Sequence, residues 1–191
     1  MKDVINDLEK NKILVKGDSP FTSPVFFVEK KSADGQSSPK GRLCYDYRKI
    51  NDVVESKQYP LSSYNNFFNN AANYKIFSVV DICNAFLSIP LEEEAKKLLA
   101  ITTPFGVYLP QRTPFGLKSS PSAFCYAISK VIGDLGYVSY YMDDLLIGAK
   151  DDTEMVLHLN EVFERLAKFN LKIRISKTKF WMKEVKVLGT I

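Results

Sequence analysis

Apolar and polar positions along this chain follow two periods, and the switches between them mark its elements. Near the start, Val4, Ile5 and Leu8 fall at helical spacing among charged residues, which predicts a short helix over 3–12 ended by Gly17. Ser23-Pro24 then opens a β-favouring run, Val25-Phe26-Phe27-Val28-Glu29-Lys30, whose partner is Arg42-Leu43-Cys44-Tyr45-Asp46. The stretch between them, 31–41, is rich in Ser, Gly, Asp and Pro and reads as a long hairpin loop. Tyr47 to Val54 reads as a turn or short helix. Residues 62–72 read as a helix capped by Ser62 with Phe67 and Phe68 buried; its asparagines lower the intrinsic propensity, so packing has to hold it.

The second half is more regular. Ile76-Phe77-Ser78-Val79-Val80 predicts a strand with Asp81 at its end, and 98–103 and 107–110 predict a strand pair joined around Phe105-Gly106. Ser120 as cap and Pro121 at the first helical position start a helix that runs to Ile132 and buries Phe124, Ile128 and Val131. The two short runs on either side of Asp143-Asp144, within 137–149, form a tight hairpin with the acids at its tip. Over 151–168, Met155, Val156, Leu159, Val162, Phe163 and Leu166 recur at helical spacing, the signature of an amphipathic helix lying under a sheet. Leu171–Ile175 and Val185–Leu188 read as closing strands. This order of elements predicts an α+β fold, an antiparallel sheet packed on helices.

Length and composition change this picture little. A chain of 191 residues can bury a substantial core in one large domain or two small lobes, and 46% hydrophobic with 25% charged residues is ordinary for a globular protein. There is no signal-peptide pattern, internal repeat or apolar run long enough to span a membrane. The net charge of +4 is uninformative, but its distribution is not: 168–186 holds seven basic residues against one acid. A segment so basic suits a phosphate backbone, although a solvated face has the same composition. Cys44, Cys83 and Cys125 lack paired spacing and sit in apolar runs, so they read as reduced core residues of an intracellular protein. His158, the sole histidine, lies on the last predicted helix and reads as a surface or packing residue.

The candidate chemistry gathers at the hairpin tip. Adjacent carboxylates at a turn repel each other unless a cation lies beside them, and Mg²⁺ commonly rests on one or two carboxylates plus substrate phosphates. Asp81, at the end of its own strand, is the best third acid. Three carboxylates on two strand ends suit two-metal phosphoryl transfer. Asp-Asp by itself more often marks a solvated turn; what decides otherwise is Tyr141-Met142 before the acids, apolar strands on both sides, and Asp81 followed five positions later by Phe86. The loop with Lys31 and Lys40, flanked by Lys30 and Arg42, is by composition a soluble basic turn, and by chemistry a possible clamp on a triphosphate.

Tyr141-Met142-Asp143-Asp144 resembles the catalytic motif of reverse transcriptases. Leu43-Cys44-Tyr45-Asp46-Tyr47-Arg48-Lys49-Ile50-Asn51 and Pro114-Phe115-Gly116-Leu117-Lys118-Ser119-Ser120-Pro121 resemble the LTR-retrotransposon branch, gypsy-like class, within a Pol polyprotein. The likeness runs in family order from about Leu8 to Ile191. It implies the fingers (1–75 and 88–117) and palm (76–87 and 118–191) of a right-hand polymerase, with thumb, connection and ribonuclease H absent. It further implies an RNA-directed DNA polymerase that copies a primed RNA or DNA template. In that likeness Asp81, Asp143, Asp144 and the Ile82 carbonyl surround two Mg²⁺ ions, for which Mn²⁺ can substitute, and Asp144 has the supporting part. Lys177 falls near the lysine that acts as general acid for pyrophosphate departure.

The remaining assignments rest on the same likeness. Lys30, with Lys31 as its fallback, approaches the γ-phosphate and Arg42 the α-phosphate. Ala85 belongs to the nucleotide-binding residues, and a bulky Phe86 lies where a ribose 2′-hydroxyl would go and selects deoxynucleotides. Phe115 and Gly116 flank the incoming base pair. Arg48, Pro121, Tyr141 and Met142 face template or primer, and Leu188-Gly189 belongs to the primer grip. The implied partners are an RNA template, a DNA or RNA primer, deoxynucleoside triphosphates, and the thumb and ribonuclease H of the parent polyprotein, with a dimer also compatible and no membrane. Two competing classes are a silent binding module and an RNA-dependent RNA polymerase; Phe86 and Tyr141-Met142 speak against the second.

Overall fold

The structure is a computed structural model and describes residues 1–28, 41–55, 59 and 73–185. In chain order its elements are α1 (Lys2–Lys10), β1 (Leu14–Lys16), β2 (Ser23–Val28), β3 (Arg42–Tyr45), α2 (Arg48–Val53), β4 (Ile76–Asp81), a 3-10 turn (Ala85–Ser88), α3 (Glu93–Leu98), β5 (Ile101–Thr103), β6 (Gly106–Pro110), α4 (Ser120–Ile132), β7 (Val138–Tyr141), β8 (Asp144–Ala149), α5 (Asp152–Lys168) and β9 (Lys179–Met182). Contacts divide the chain into two compact units, Met1–Ser56 with Ile89–Ser120, and Lys57–Ser88 with Pro121–Ile191. The arrangement is α+β, as the order of elements predicts.

The first unit is built on a five-stranded sheet of order β1-β6-β5-β2-β3, antiparallel except where β2 meets β5. Its core joins Ile5 of α1 to Leu14, Leu43, Tyr47, Leu99, Ile101, Tyr108 and Leu117. Tyr47 is buried to 1% exposure, and its hydroxyl finds a partner by donating to the Leu99 carbonyl at 2.8 Å. Helix α1 stops earlier than the sequence predicts. The Asn11 carboxamide donates to the Asp7 carbonyl at 2.7 Å and Lys12 turns left-handed at φ 54°, while Gly17 lies beyond β1. Leu98, read as the start of a strand, instead closes α3, whose first turn is acidic and last turn basic, as the helix dipole favours.

The second unit carries the four-stranded antiparallel sheet β7-β8-β4-β9. Strand β8 is central, and its residues Leu145 to Ala149 are buried without alternation, the mark of a strand covered on both faces. Gly148 is needed there, because a Cβ at that position would lie 2.4 Å from the Tyr74 ring. Helix α5 packs on β4 and β8 through Met155, Leu159, Val162 and Leu166, whereas Val156 falls off this stripe and is 45% exposed. Asp151 caps α5 by accepting from the Glu154 N–H at 2.9 Å. Helix α4 buries Phe124, Ile128 and Val131 as expected; Ser120, however, opens the helix itself and its hydroxyl donates to the Pro114 carbonyl at 3.0 Å. His158 is a packing residue. Its ring stacks on Tyr137 with centroids 3.5 Å apart, and its Nδ1 lies 2.8 Å from the Gly148 carbonyl.

The closing strands differ from expectation. Leu171–Ile175 is no strand: it touches the end of β4 through the single bridge Ile82–Ile173 and then turns, with the N–H groups of Lys177 and Thr178 both donating to the Arg174 carbonyl. The strand that pairs with β4 is β9, further on. The helix read over 62–72 and the closing strand beyond Val185 lie outside the described residues.

Candidate active site

Pairing within the second sheet sets the positions of the acids. β4 and β8 run antiparallel in a register that puts Asp81 directly opposite Asp144. Like charges on cross-strand neighbours destabilise a sheet, so the pairing needs compensation from outside it. β7 and β8 join through a two-residue turn, Met142-Asp143, flanked by the Tyr141–Asp144 pair. Asp143 therefore occupies the turn and Asp144 is already a strand residue. Met142 adopts φ 51°, a left-handed conformation that costs a non-glycine residue about 1 kcal/mol and persists only where neighbours enforce it. A hydrogen bond ties this turn down: the Ile82 N–H donates to the Asp143 carbonyl at 2.8 Å.

Two cations face the acids. Lys177 Nζ is 3.4 Å from Asp81 Oδ2, and Arg174 Nη1 is 3.4 Å from Asp81 Oδ1. Arg174 has a further hold, since its backbone N–H donates to the Asp81 carbonyl at 2.8 Å. These contacts are long for charge-assisted hydrogen bonds. Asp81 Oδ1 is buried and accepts no hydrogen bond. Asp143 and Asp144 are both held above the ordinary carboxylate range, first by burial and then by the charge of Asp81, with Lys177 offsetting part of the effect. The carboxylates, in short, hold more negative charge than their surroundings neutralise. A concavity of about 520 Å³ opens beside them, lined by Asp81, Asp144, Ser176, Lys177, Thr178 and Lys179 among others.

This donor set fits a divalent cation: hard carboxylate oxygens, one of them buried and unsatisfied. Among the described residues no three His, Cys, Asp or Glu side chains already converge into a metal-holding group. The fit is to an open platform on one or two carboxylates, the mode Mg²⁺ prefers when substrate phosphates complete its shell. The bridge between β4 and 171–175 uses the Asp81 carbonyl and the Cys83 N–H, so it leaves the Ile82 carbonyl uncommitted to that pairing.

The other residues singled out in the sequence fall into two groups. In the second unit, Ala85 is buried in the 3-10 turn just past β4, and Phe86 beside it meets Phe124 of α4 edge-on, ring centroids 6.2 Å apart. Tyr141 and Met142 stand at the hairpin turn, and Pro121 lies in the first turn of α4. In the first unit, Gly116 adopts φ 94°, and a Cβ there would lie 3.2 Å from the Tyr45 carbonyl. Asn51 of α2 fixes this segment at both ends: its side chain donates to the Gly116 carbonyl and accepts from the Lys118 N–H. Phe115 is 45% exposed. Arg48 projects into solvent and forms a bidentate pair with Asp46, at 2.8 and 2.7 Å. Phe26, Tyr45, Tyr47, Arg48, Asn51 and Gly116 line a second concavity of about 400 Å³.

The backbone of Arg42 pairs with Val28 in the β2–β3 ladder. Lys30, Leu188 and Gly189 lie outside the described residues. Arg174 and Asn51 were missed by sequence reasoning. Asn51 stands in the sequence only as the end of the 43–51 motif, with no role of its own, and Arg174 is one cation among many in a basic segment.

The family model described as reverse transcriptase (RNA-dependent DNA polymerase) matches residues 28–191. The retrovirus-related Pol polyprotein from transposon 412 of Drosophila melanogaster is 32% identical over 187 residues, which are 97% of this chain and 15% of that polyprotein. The Pol polyprotein from transposon gypsy of the same fly is 30% identical over 189 residues, 98% of this chain and 18% of its own length. Among solved structures, the foamy viral protease-reverse transcriptase in complex with an RNA/DNA hybrid superposes with a TM-score of 0.87 at 25% identity, over 98% of this chain and 25% of that one. The chain thus spans less than a fifth of the polyproteins it resembles.

Proposed function

The chain belongs to the reverse transcriptase family, and from that premise we propose that it is the fingers and palm of an RNA-directed DNA polymerase that extends a primer on an RNA or DNA template with deoxynucleoside triphosphates. The observation that carries this reading is the under-neutralised acid cluster: Asp81 opposite Asp144, Asp143 in a strained turn beside them, and Arg174 and Lys177 at long range. In this reading the first unit, 1–56 with 89–120, corresponds to the fingers and the second, 57–88 with 121–191, to the palm.

Asp81, Asp143 and Asp144 would hold Mg²⁺, or Mn²⁺ in its place, with the Ile82 carbonyl close by. When bound, such ions lower the pKa of the primer hydroxyl, align it on the α-phosphate and neutralise the charge of the departing pyrophosphate. The protein's own part is to hold the carboxylates still, through the sheet register and the Ile82–Asp143 hydrogen bond. Lys177, with its ammonium beside Asp81, is suited to deliver a proton to the leaving pyrophosphate. Phe86 is braced edge-on by Phe124, which suits a ring that must stay put to exclude a 2′-hydroxyl. Lys30 and Arg42 serve the triphosphate, Ala85 the nucleotide, and Phe115 with Gly116 the incoming base pair. Arg48, Pro121, Tyr141, Met142, Leu188 and Gly189 serve template and primer. The partners are the nucleic-acid strands and, inside the cell, the remaining domains of a larger Pol polyprotein.

One observation favours a second reading, a nucleic-acid binding module without catalysis: among the described residues no group of three His, Cys, Asp or Glu side chains is arranged to hold a metal ion. The test is primer extension on an RNA template with Mg²⁺, comparing deoxynucleotides, ribonucleotides and the Asp143→Asn variant. Extension with deoxynucleotides alone, lost in the variant, supports the polymerase. Template binding without extension supports the module.

A further inference from the structure

The cations around Asp81 are unequal. Lys177 reaches Oδ2 on a flexible stem from a side chain that is 59% exposed, whereas Arg174 is 37% exposed and faces Oδ1, the buried oxygen that accepts no hydrogen bond. Arg174 is also fixed at both ends. Its N–H donates to the Asp81 carbonyl at 2.8 Å, and its Nη2 lies 3.9 Å from Cys83 Sγ. The guanidinium is therefore held beside a buried carboxylate oxygen that accepts no hydrogen bond, at a distance too long for a strong hydrogen bond and short enough for strong Coulomb attraction.

We propose that Arg174 is a positioning residue for this site: a fixed counter-ion of Asp81 that keeps the carboxylate aimed at the concavity and lowers the affinity of the free chain for divalent cations. The inference rests on the reading of Asp81 as a metal-holding residue. A cation at this point offsets the repulsion between Asp81 and Asp144, which lets the strand pairing form without a metal. It also repels any divalent ion that arrives unaccompanied. A metal already complexed to a triphosphate carries its own negative charge and suffers no such repulsion, so the site discriminates in favour of the metal–nucleotide complex.

The test is Mn²⁺ binding to the 191-residue chain without nucleotide or nucleic acid, read from the spectroscopic signal of the unbound ion. Arg174→Gln should tighten Mn²⁺ binding by about ten- to thirtyfold, the scale of repulsion between a unit charge and a dication a few ångströms apart under nearly water-like screening. Lys177→Gln, removing a more exposed charge, should tighten it less. Arg174→Lys should keep the wild-type affinity, and Arg174→Met, which retains the aliphatic stem, should reproduce the effect of Gln. The direction is diagnostic, since a residue that only supports the fold would weaken binding when replaced. Unchanged or weaker binding in both neutral variants overturns the proposal, as does tightening in Arg174→Lys equal to that in Arg174→Gln. Asp81→Asn separates the two levels: if it leaves Mn²⁺ binding intact, the functional reading fails as well; if it removes binding while the Arg174 variants do nothing, only the inference about Arg174 fails.

Discussion

Two aspartates, one in each unit, show how differently the same side chain can be treated. Asp46 is grasped by Arg48 in a two-pronged pair with both contacts under 3 Å, and this pulls its carboxyl down to about 2. Asp81 has two cations near it, neither closer than 3.4 Å, and one buried oxygen with no hydrogen bond at all. The first carboxylate is satisfied by its own chain. The second is held in place and left unfinished, with Asp144 opposite it adding to the unneutralised charge. Unfinished polar groups are costly, so their persistence points to a partner that completes them.

The contrast can be broken most severely with a metal. At a concentration of divalent cation one hundred times its dissociation constant, the wild-type chain should gain about 2.7 kcal/mol of stability through linkage. Asp46→Asn should gain the same and Asp81→Asn nothing, by thermal melts with and without Mn²⁺; equal gains in all three would erase the distinction. Next in size is the backbone beside the satisfied pair. Gly116→Ala forces a Cβ into a left-handed position against the Tyr45 carbonyl and should cost about 1–2 kcal/mol in urea unfolding.

A smaller effect, of opposite sign, belongs to Asp144. Its folded-state pKa is raised, by burial first and then by Asp81, so its charge destabilises the metal-free chain once pH exceeds the ordinary value of 3.8. Asp144→Asn should therefore melt higher than wild type at neutral pH in the presence of a chelator, and the difference should close as pH falls below that value. The smallest effect is that of Asp46. Because its pKa is depressed, its pair with Arg48 contributes above 3.8 and is lost as pH falls toward about 2. Being exposed, it should be weakened further by added salt. Asp46→Asn should show a slight, salt-sensitive loss at neutral pH and none in strong acid.

Much of this was legible in the sequence wherever one signal dominated. The apolar runs on either side of Asp143-Asp144 fixed the hairpin, and the stripe Met155, Leu159, Val162, Leu166 fixed α5, because burial and local propensity agree there. The signal was lost where tertiary hydrogen bonds overrode local preference. Leu171–Ile175 has the composition of a strand, yet its backbone crosses the end of β4 for a single pair and turns away. The sequence pattern singled out the three acids that the sheet register brings together, because their spacing is joint and specific. Arg174 was not singled out, since a cation's partner is set by where the chain turns, which its neighbours in sequence do not encode. The split of the Asp-Asp dipeptide between turn and strand also emerged only from the register.

The most direct measurement is single-turnover primer extension on an RNA template by Asp81→Asn and Asp46→Asn in parallel with wild type. The account predicts that Asp46→Asn extends at close to the wild-type rate while Asp81→Asn falls by about 10²–10³-fold, the loss expected for one preorganised electrostatic group. Comparable extension by Asp81→Asn and wild type would contradict it, because the unfinished carboxylate would then have no part in the chemistry.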